Sequence, residues 1–143
     1  MPTYFHGTVV SDVITMVGEP ERGGIDVALG GGEFGRGFYT QSSKSNALTW
    51  AQNHRGEPEN ACLLEVAIED EAYARLQIRL LDTKQAKRLT QRIRKRKATR
   101  THVEGVDVVT GPLNGSRRIQ QQKFESDNAQ VLLNGSQTRR RLI

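Results

Sequence analysis

The chain has little of what builds cross-links, metal centres or membrane anchors. Cys62 is its one cysteine among 143 residues, which excludes an intramolecular disulfide. That residue lies in the run Ala61-Cys62-Leu63-Leu64-Glu65-Val66-Ala67-Ile68, which reads as a buried strand with an inert core thiol. The three histidines, His6, His54 and His102, are scattered and no Cys/His cluster joins them, so a metal site is not expected. No apolar run approaches the ~20 residues of a membrane span, and no signal-peptide pattern opens the chain. Aromatic residues make up 6% and apolar residues 36%, with a mean hydropathy of −0.59. These values point to a small core with large polar loops.

What is present is one domain's length of chain and a marked asymmetry of charge. Residues 1–75 hold 5 Lys/Arg against 11 Asp/Glu, and residues 76–143 hold 16 against 5. The overall net charge is +5. Such a split suggests that one side of the molecule meets something anionic.

Local patterns predict an α+β domain spanning 1–143, with six or seven short strands and two or three helices. Thr3 to Gly7 reads as a strand of β-formers ending on glycine. Val10, Val13, Ile14 and Val17 have helical spacing, with Ser11 or Asp12 as cap and Gly18 as stop. Residues 19–35 form a loop rich in glycine and charge, read as a mobile flap. A strand over 37–41 leads into a helix over 43–54, with Ser42 or Ser43 as cap. Residues 54–60 are a polar turn, 61–69 a strand, and Glu69-Asp70-Glu71 an acidic helix start. Asp82 caps a helix over 83–98 whose narrow apolar stripe is Ala86, Leu89 and Ile93. Its other faces carry Lys84, Lys87, Arg88, Arg92, Arg94, Lys95, Arg96 and Lys97. These are either a solvated face or a docking surface for RNA, DNA or an acidic protein. With no aromatics there for base stacking, phosphate contact would dominate. Strands are expected over 106–109, 119–125 and 129–133, a turn over 113–118, and a frayed basic tail at Arg139-Arg140-Arg141.

Two short motifs carry the functional reading. His6-Gly7-Thr8 delivers an imidazole at the end of the first strand. Gly35-Arg36-Gly37-Phe38-Tyr39-Thr40 is a glycine-rich turn feeding a strand that carries Tyr39. Serines 42, 43 and 45 follow at the start of the next helix, and Trp50 stands eleven residues beyond Tyr39. Two aromatic rings at that separation can frame a flat slot suited to a planar heteroaromatic ring.

In these motifs the chain resembles the ADP-ribosyltransferase superfamily, in the branch that includes diphtheria toxin and the poly(ADP-ribose) polymerases. Gly105-Val106-Asp107-Val108-Val109-Thr110-Gly111-Pro112 and Gln121-Gln122-Lys123-Phe124 are similar to bacterial toxin-type members, while residues 60–104 match only loosely. The sequence departs from the family pattern in two places. Trp50 stands where tyrosine is usual, and the strand that normally supplies a glutamate offers glutamines.

The resemblance implies a split antiparallel sheet core and cleavage of the nicotinamide–ribose bond of NAD, without a metal. It implies that His6 bonds the adenosine-side ribose and that Gly7 grips the carboxamide through its backbone. Thr8 would support a ribose or phosphate oxygen, Arg36 the pyrophosphate and Ser43 or Ser45 the carboxamide, with Tyr39 and Trp50 flanking the ring. Strand alternation puts Gln121, Lys123 and Glu125 on a face opposite Phe124. Gln121 then takes the catalytic-glutamate position, with Glu125 as the fallback carboxylate. Each of these residues has a structural reading beside the functional one: a satisfied strand-end histidine, a turn glycine, a core tyrosine or tryptophan, a helix cap.

The function these features imply is that of an NAD-dependent mono-ADP-ribosyltransferase, a bacterial toxin or effector domain that modifies RNA, DNA or protein. It would act in the cytoplasm, on delivery as a secreted effector or beside an immunity or antitoxin partner. The alternatives are a silent NAD- or ADP-ribose-binding module and a basic nucleic-acid-binding domain without NAD chemistry.

Overall fold

A computed structural model describes residues 1–18, 24–54, 56–96, 103–113 and 119–143, with the side chain of Arg96 outside the description. The chain is mixed α+β, as its patterning predicts, with seven strands and five helices among the described residues. It forms two compact units, each assembled from separated stretches of chain.

The first unit comprises Met1–Ile25, Thr40–Arg75 and Leu132–Ile143. Its centre is an antiparallel pair, β1 (Thr3–Val9) against β3 (Ala61–Ile68), in register from Thr3↔Ala67 to Val9↔Ala61. β3 is the predicted apolar run, and Leu63 to Ile68 are all buried, although Cys62 itself is only partly covered. The end of β2 (Phe38–Gln41) joins β1 at Phe5↔Gln41. β7 (Thr138–Leu142) covers the far edge of β3.

Helices α1 (Val10–Met16) and α2 (Lys44–His54) pack on β1 and β3. α1 starts directly from the strand. Val9 is its cap and makes no side-chain capping bond, so the expected Ser11 or Asp12 cap is not used. Of its helically spaced apolar residues only Val13 is buried, and Val10, Ile14 and Val17 are exposed. α3 (Asp70–Ala74) follows the acidic start at Glu69.

The second unit comprises Asp26–Tyr39 and Leu76–Val131. Its strands run β4 (Ile78–Leu80), β5 (Val108–Pro112), β6 (Gln120–Phe124), then the start of β2. β5 and β6 are antiparallel, with Gly111 opposite Gln121 and Val109 opposite Lys123. β4 runs parallel to β5, so the expected all-antiparallel core is mixed at this edge.

α4 (Thr83–Arg96) begins with a reciprocal cap. The Gln85 N–H donates to Asp82 Oδ1 at 2.7 Å, and the Asp82 N–H donates to Gln85 Oε1 at 3.0 Å. Its apolar stripe, Ala86 and Leu89 with Ile93 at the margin, packs with Phe34, Leu81 and Val109. The predicted continuation through 97–98 lies outside the described residues, as do the flap residues 19–23 and positions 114–118 of the turn.

Two sequence expectations are corrected. Residues 129–133 are helical, within α5 (Asp127–Asn134), not a strand. Ser126 caps this helix by accepting the Ala129 N–H at 2.9 Å, and Ala129 and Leu133, one turn apart, are its buried residues. The basic tail is strand β7, not a frayed end. Arg141 Nε lies 2.8 Å from Glu65 Oε1 across the ladder, and Arg140 donates to the carbonyls of Met16 and Gly18 and to Asn134 Oδ1. α3 and α5 bring the helices to five where two or three were expected.

Candidate functional site

The first-motif residues belong to the first unit. His6 is partly buried on β1, opposite Leu64. At Gly7 a Cβ would stand 2.1 Å from the carbonyl oxygen of Ala47 and 3.1 Å from the Cβ of Ala51. The fold therefore needs glycine here, so that the start of α2 can lie against β1. Thr8 is buried, and its hydroxyl meets Asp12 Oδ2 at 3.4 Å, joining β1 to the first turn of α1. Ser43 Oγ accepts the Asn46 N–H at 3.3 Å, which is helix capping, and lies 3.3 Å from Ser45 Oγ. Trp50 is partly buried and one face of its indole is taken. The His54 ring stacks on it at 5.0 Å and 13°, held by a 2.9 Å bond between Nδ1 and the Trp50 carbonyl. Gln41, at the end of β2, is buried and its Oε1 has no hydrogen-bond partner among the described residues.

Gly35 to Tyr39 and strand β6 belong to the second unit, where the glycine-rich loop is the organising element. Gly30 lies so close to Gly37 that a Cβ would stand 2.1 Å from the Gly37 carbonyl oxygen. Gly32 lies on the ring of Tyr39, where a Cβ would be 2.7 Å from Cζ. The Tyr39 hydroxyl accepts the Phe34 N–H at 2.9 Å and donates to the Gly35 carbonyl at 2.5 Å. Lys123 Nζ donates to the Phe34 carbonyl at 2.8 Å, and the Phe34 ring is fully buried against Leu81 and Val109. This part of the expected flap is pinned at every second residue or closer. Arg36, at its crest, is exposed.

The alternation expected for β6 holds. Phe124 meets Phe38 on one face, with centroids 6.3 Å apart, while Gln121, Lys123 and Glu125 take the other. That second face is covered by the loop rather than open to a cleft. Glu125 is fully buried, 3.3 Å from Lys123 Nζ, and its other oxygen accepts the Glu104 N–H at 3.2 Å. Glu104 in turn pairs with Arg79 at 3.1 Å and with Arg92. The fallback carboxylate is therefore committed to a buried ion pair. Gln121 is buried too, and its Nε2 donates to Glu33 Oε2 at 3.0 Å.

Burial dominates the electrostatics of this cluster. It raises the Tyr39 phenol well above its usual 10.0; the bond from Phe34 opposes this, and the charges of Glu33 and Glu125 add to it. Burial lowers Lys123 from its usual 10.5 against the pull of Glu125. The Glu33 carboxylate and the Gln121 amide are thus directly bonded, while the Tyr39 phenol holds the backbone of the residues that follow Glu33.

Glu33 escaped the sequence reading. The available signal was that it is the one carboxylate between Asp26 and Glu57, two residues before Gly35. On α4, Lys84, Lys87, Arg88, Arg94 and Lys95 are exposed, whereas Arg92 is engaged by Glu104. The side chain of Arg96, and all of Lys97, lie outside the description.

No protein-family model matches the chain, and a comparison with curated proteins finds no match either.

Proposed function

We propose that the protein is an NAD-dependent mono-ADP-ribosyltransferase with the split-sheet fold of that superfamily, acting on a nucleic acid. The observation that carries this reading is the arrangement around the glycine-rich loop in the second unit. Tyr39 is locked in orientation by two bonds to the backbone of the glycine-rich loop, and Gln121 is hydrogen-bonded to Glu33, a carboxylate on that loop. In the proposed reaction the bond between ribose C1′ and the nicotinamide nitrogen breaks. Its electron pair goes to the ring nitrogen, nicotinamide leaves neutral, and C1′ passes through an oxocarbenium-like cation. An acceptor oxygen or nitrogen then bonds to C1′ and gives up its proton. Holding the reactants in place supplies much of such an acceleration, and fixed negative charge near the cation supplies more.

A nucleic-acid acceptor is favoured over a protein by the exposed cations of α4, which have almost no acids among them. The toxin or effector setting, the cytoplasmic site of action and an antitoxin or immunity partner rest on the family resemblance alone. The test is incubation with labelled NAD together with total RNA, DNA or cell lysate. Nicotinamide release with label retained on nucleic acid is expected. No release in any mixture sinks the reading.

Two observations favour other functions. The amide at position 121 suits a silent NAD-binding module, which would quench Trp50 fluorescence on NAD addition without turnover. The exposed face of α4 suits a plain nucleic-acid binder, whose binding would survive Tyr39→Ala. In the enzyme, Tyr39→Ala abolishes NAD use.

A further inference from the structure

We infer that the negative charge needed opposite the ribosyl cation comes from Glu33 on the glycine-rich loop, not from strand β6, and that Gln121 is the residue that positions it. This rests on the transferase reading above. Cleavage of the glycosidic bond leaves positive charge on C1′ and the ring oxygen, which an amide at position 121 cannot neutralise. A carboxylate must come from elsewhere, and the acids of the second unit can be sorted by what they already do. Glu125 is sealed in its pair with Lys123, and Glu104 is held by two arginines. Asp107 accepts from the Gln77 N–H and the Ser126 hydroxyl. Asp82 caps α4, and Asp26 accepts the Ala28 N–H. Asp127 is an exposed residue in the first turn of α5. Of these acids Glu33 is the one bonded to the Gln121 side chain, at 3.0 Å, across 88 positions of sequence.

Its setting also suits the task. Glu33 is partly buried, so it is screened from bulk water yet still reachable. Its two neighbours are fixed: Gly32 by the ring of Tyr39, and Phe34 by the Tyr39 hydroxyl and the Lys123 ammonium. A charge held this way needs no reorganisation as the cation develops. No proton moves on Glu33 in this step; the carboxylate acts by charge and by accepting the ribose hydroxyl.

The experiment measures nicotinamide release from NAD in the presence of total RNA by the wild type, Glu33→Gln, Glu33→Asp and the swap Glu33→Gln with Gln121→Glu. Glu33→Gln keeps shape and hydrogen bonding, so its melting temperature should stay close to the wild type. Its kcat should fall about 100-fold while KM for NAD changes less than about threefold. The swap returns one carboxylate and one amide to the same bond and should recover at least about tenfold of the lost kcat. A purely structural Glu33 would give no such split between kcat and KM and no recovery. If Glu33→Gln melts early, the swap and Glu33→Asp, which keep a charge, carry the test: both should outpace a Glu33→Ala chain of equal stability. Wild-type kcat in Glu33→Gln, or a swap no faster than the single variant, overturns the inference while leaving the transferase reading intact. A wild type that releases no nicotinamide overturns both.

Discussion

Glycine and tyrosine carry much of the local logic, and both are open to direct test. Gly7 is a motif residue for a packing reason visible in the structure: the Ala47 carbonyl occupies the place of a Cβ. Gly7→Ala must push α2 off β1 and should lower unfolding free energy by about 1–3 kcal/mol, read by urea denaturation. Tyr39 is locked by the loop it supports. Tyr39→Phe strips the Phe34 N–H and the Gly35 carbonyl of a partner and should cost about 1–3 kcal/mol at neutral pH. The pH dependence gives a second readout. With its folded pKa raised above 10.0, Tyr39 contributes stability that is whole below pH 10. That stability is lost as pH rises further, because the unfolded chain releases the proton first. Lys123, lowered from 10.5, works the other way and gains stability as pH climbs towards that value. Comparing variants isolates the tyrosine: stability of Tyr39→Phe should fall less steeply above pH 10 than that of the wild type. Equal slopes would show that the phenol ionises freely in the folded protein.

Among the elements, α4 and β7 show how the same kind of residue can serve opposite ends. The arginines of β7 are engaged by the fold itself: Arg139 and Arg141, though exposed, pair with Glu65, and Arg140 ties down the end of α1. The cations of α4 instead stand outward from a helix that buries only a narrow stripe. Changing Lys84, Lys87, Arg88, Arg94 and Lys95 together to glutamine should leave the melting temperature within a few degrees. It should weaken RNA binding and flatten its dependence on salt, measured by fluorescence anisotropy across a salt series. Unchanged binding would locate the anion contact elsewhere. β7 also guards an edge: without it the backbone of β3 would lie open to pairing with other chains.

For the whole molecule, the decisive feature is that neither unit is continuous in sequence. The first draws on three stretches of chain and the second on two. Cutting between Arg75 and Leu76 deprives the first unit of β7 and the second of the loop that carries Glu33 and Phe34, together with Tyr39 of β2. Neither fragment should fold alone, and circular dichroism of the separate pieces should show no cooperative melt. The charge split along the sequence is likewise redistributed, because the C-terminal arginines go to the first unit and α4 to the second. Among the described residues no helix is long and apolar enough to cross a membrane.

The amino-acid sequence alone determined the class and most of the elements. β3 was legible because its apolar run has no competing period, α4 because of its cap and stripe, and β2 with α2 because glycine, β-formers and serine follow one another. Strand alternation correctly divided Gln121, Lys123 and Glu125 from Phe124. Helix α5 was misread because a short apolar run has no period of its own, and the cap at Ser126 decided it. β7 was misread because arginines look solvated until a glutamate on another strand faces them. Only the tertiary structure decided which carboxylate meets Gln121 and which is sealed against Lys123. Those partners lie 88 and 2 residues away, and nothing in local spacing distinguishes a charge that folding seals in a buried pair from one it leaves partly exposed on a loop.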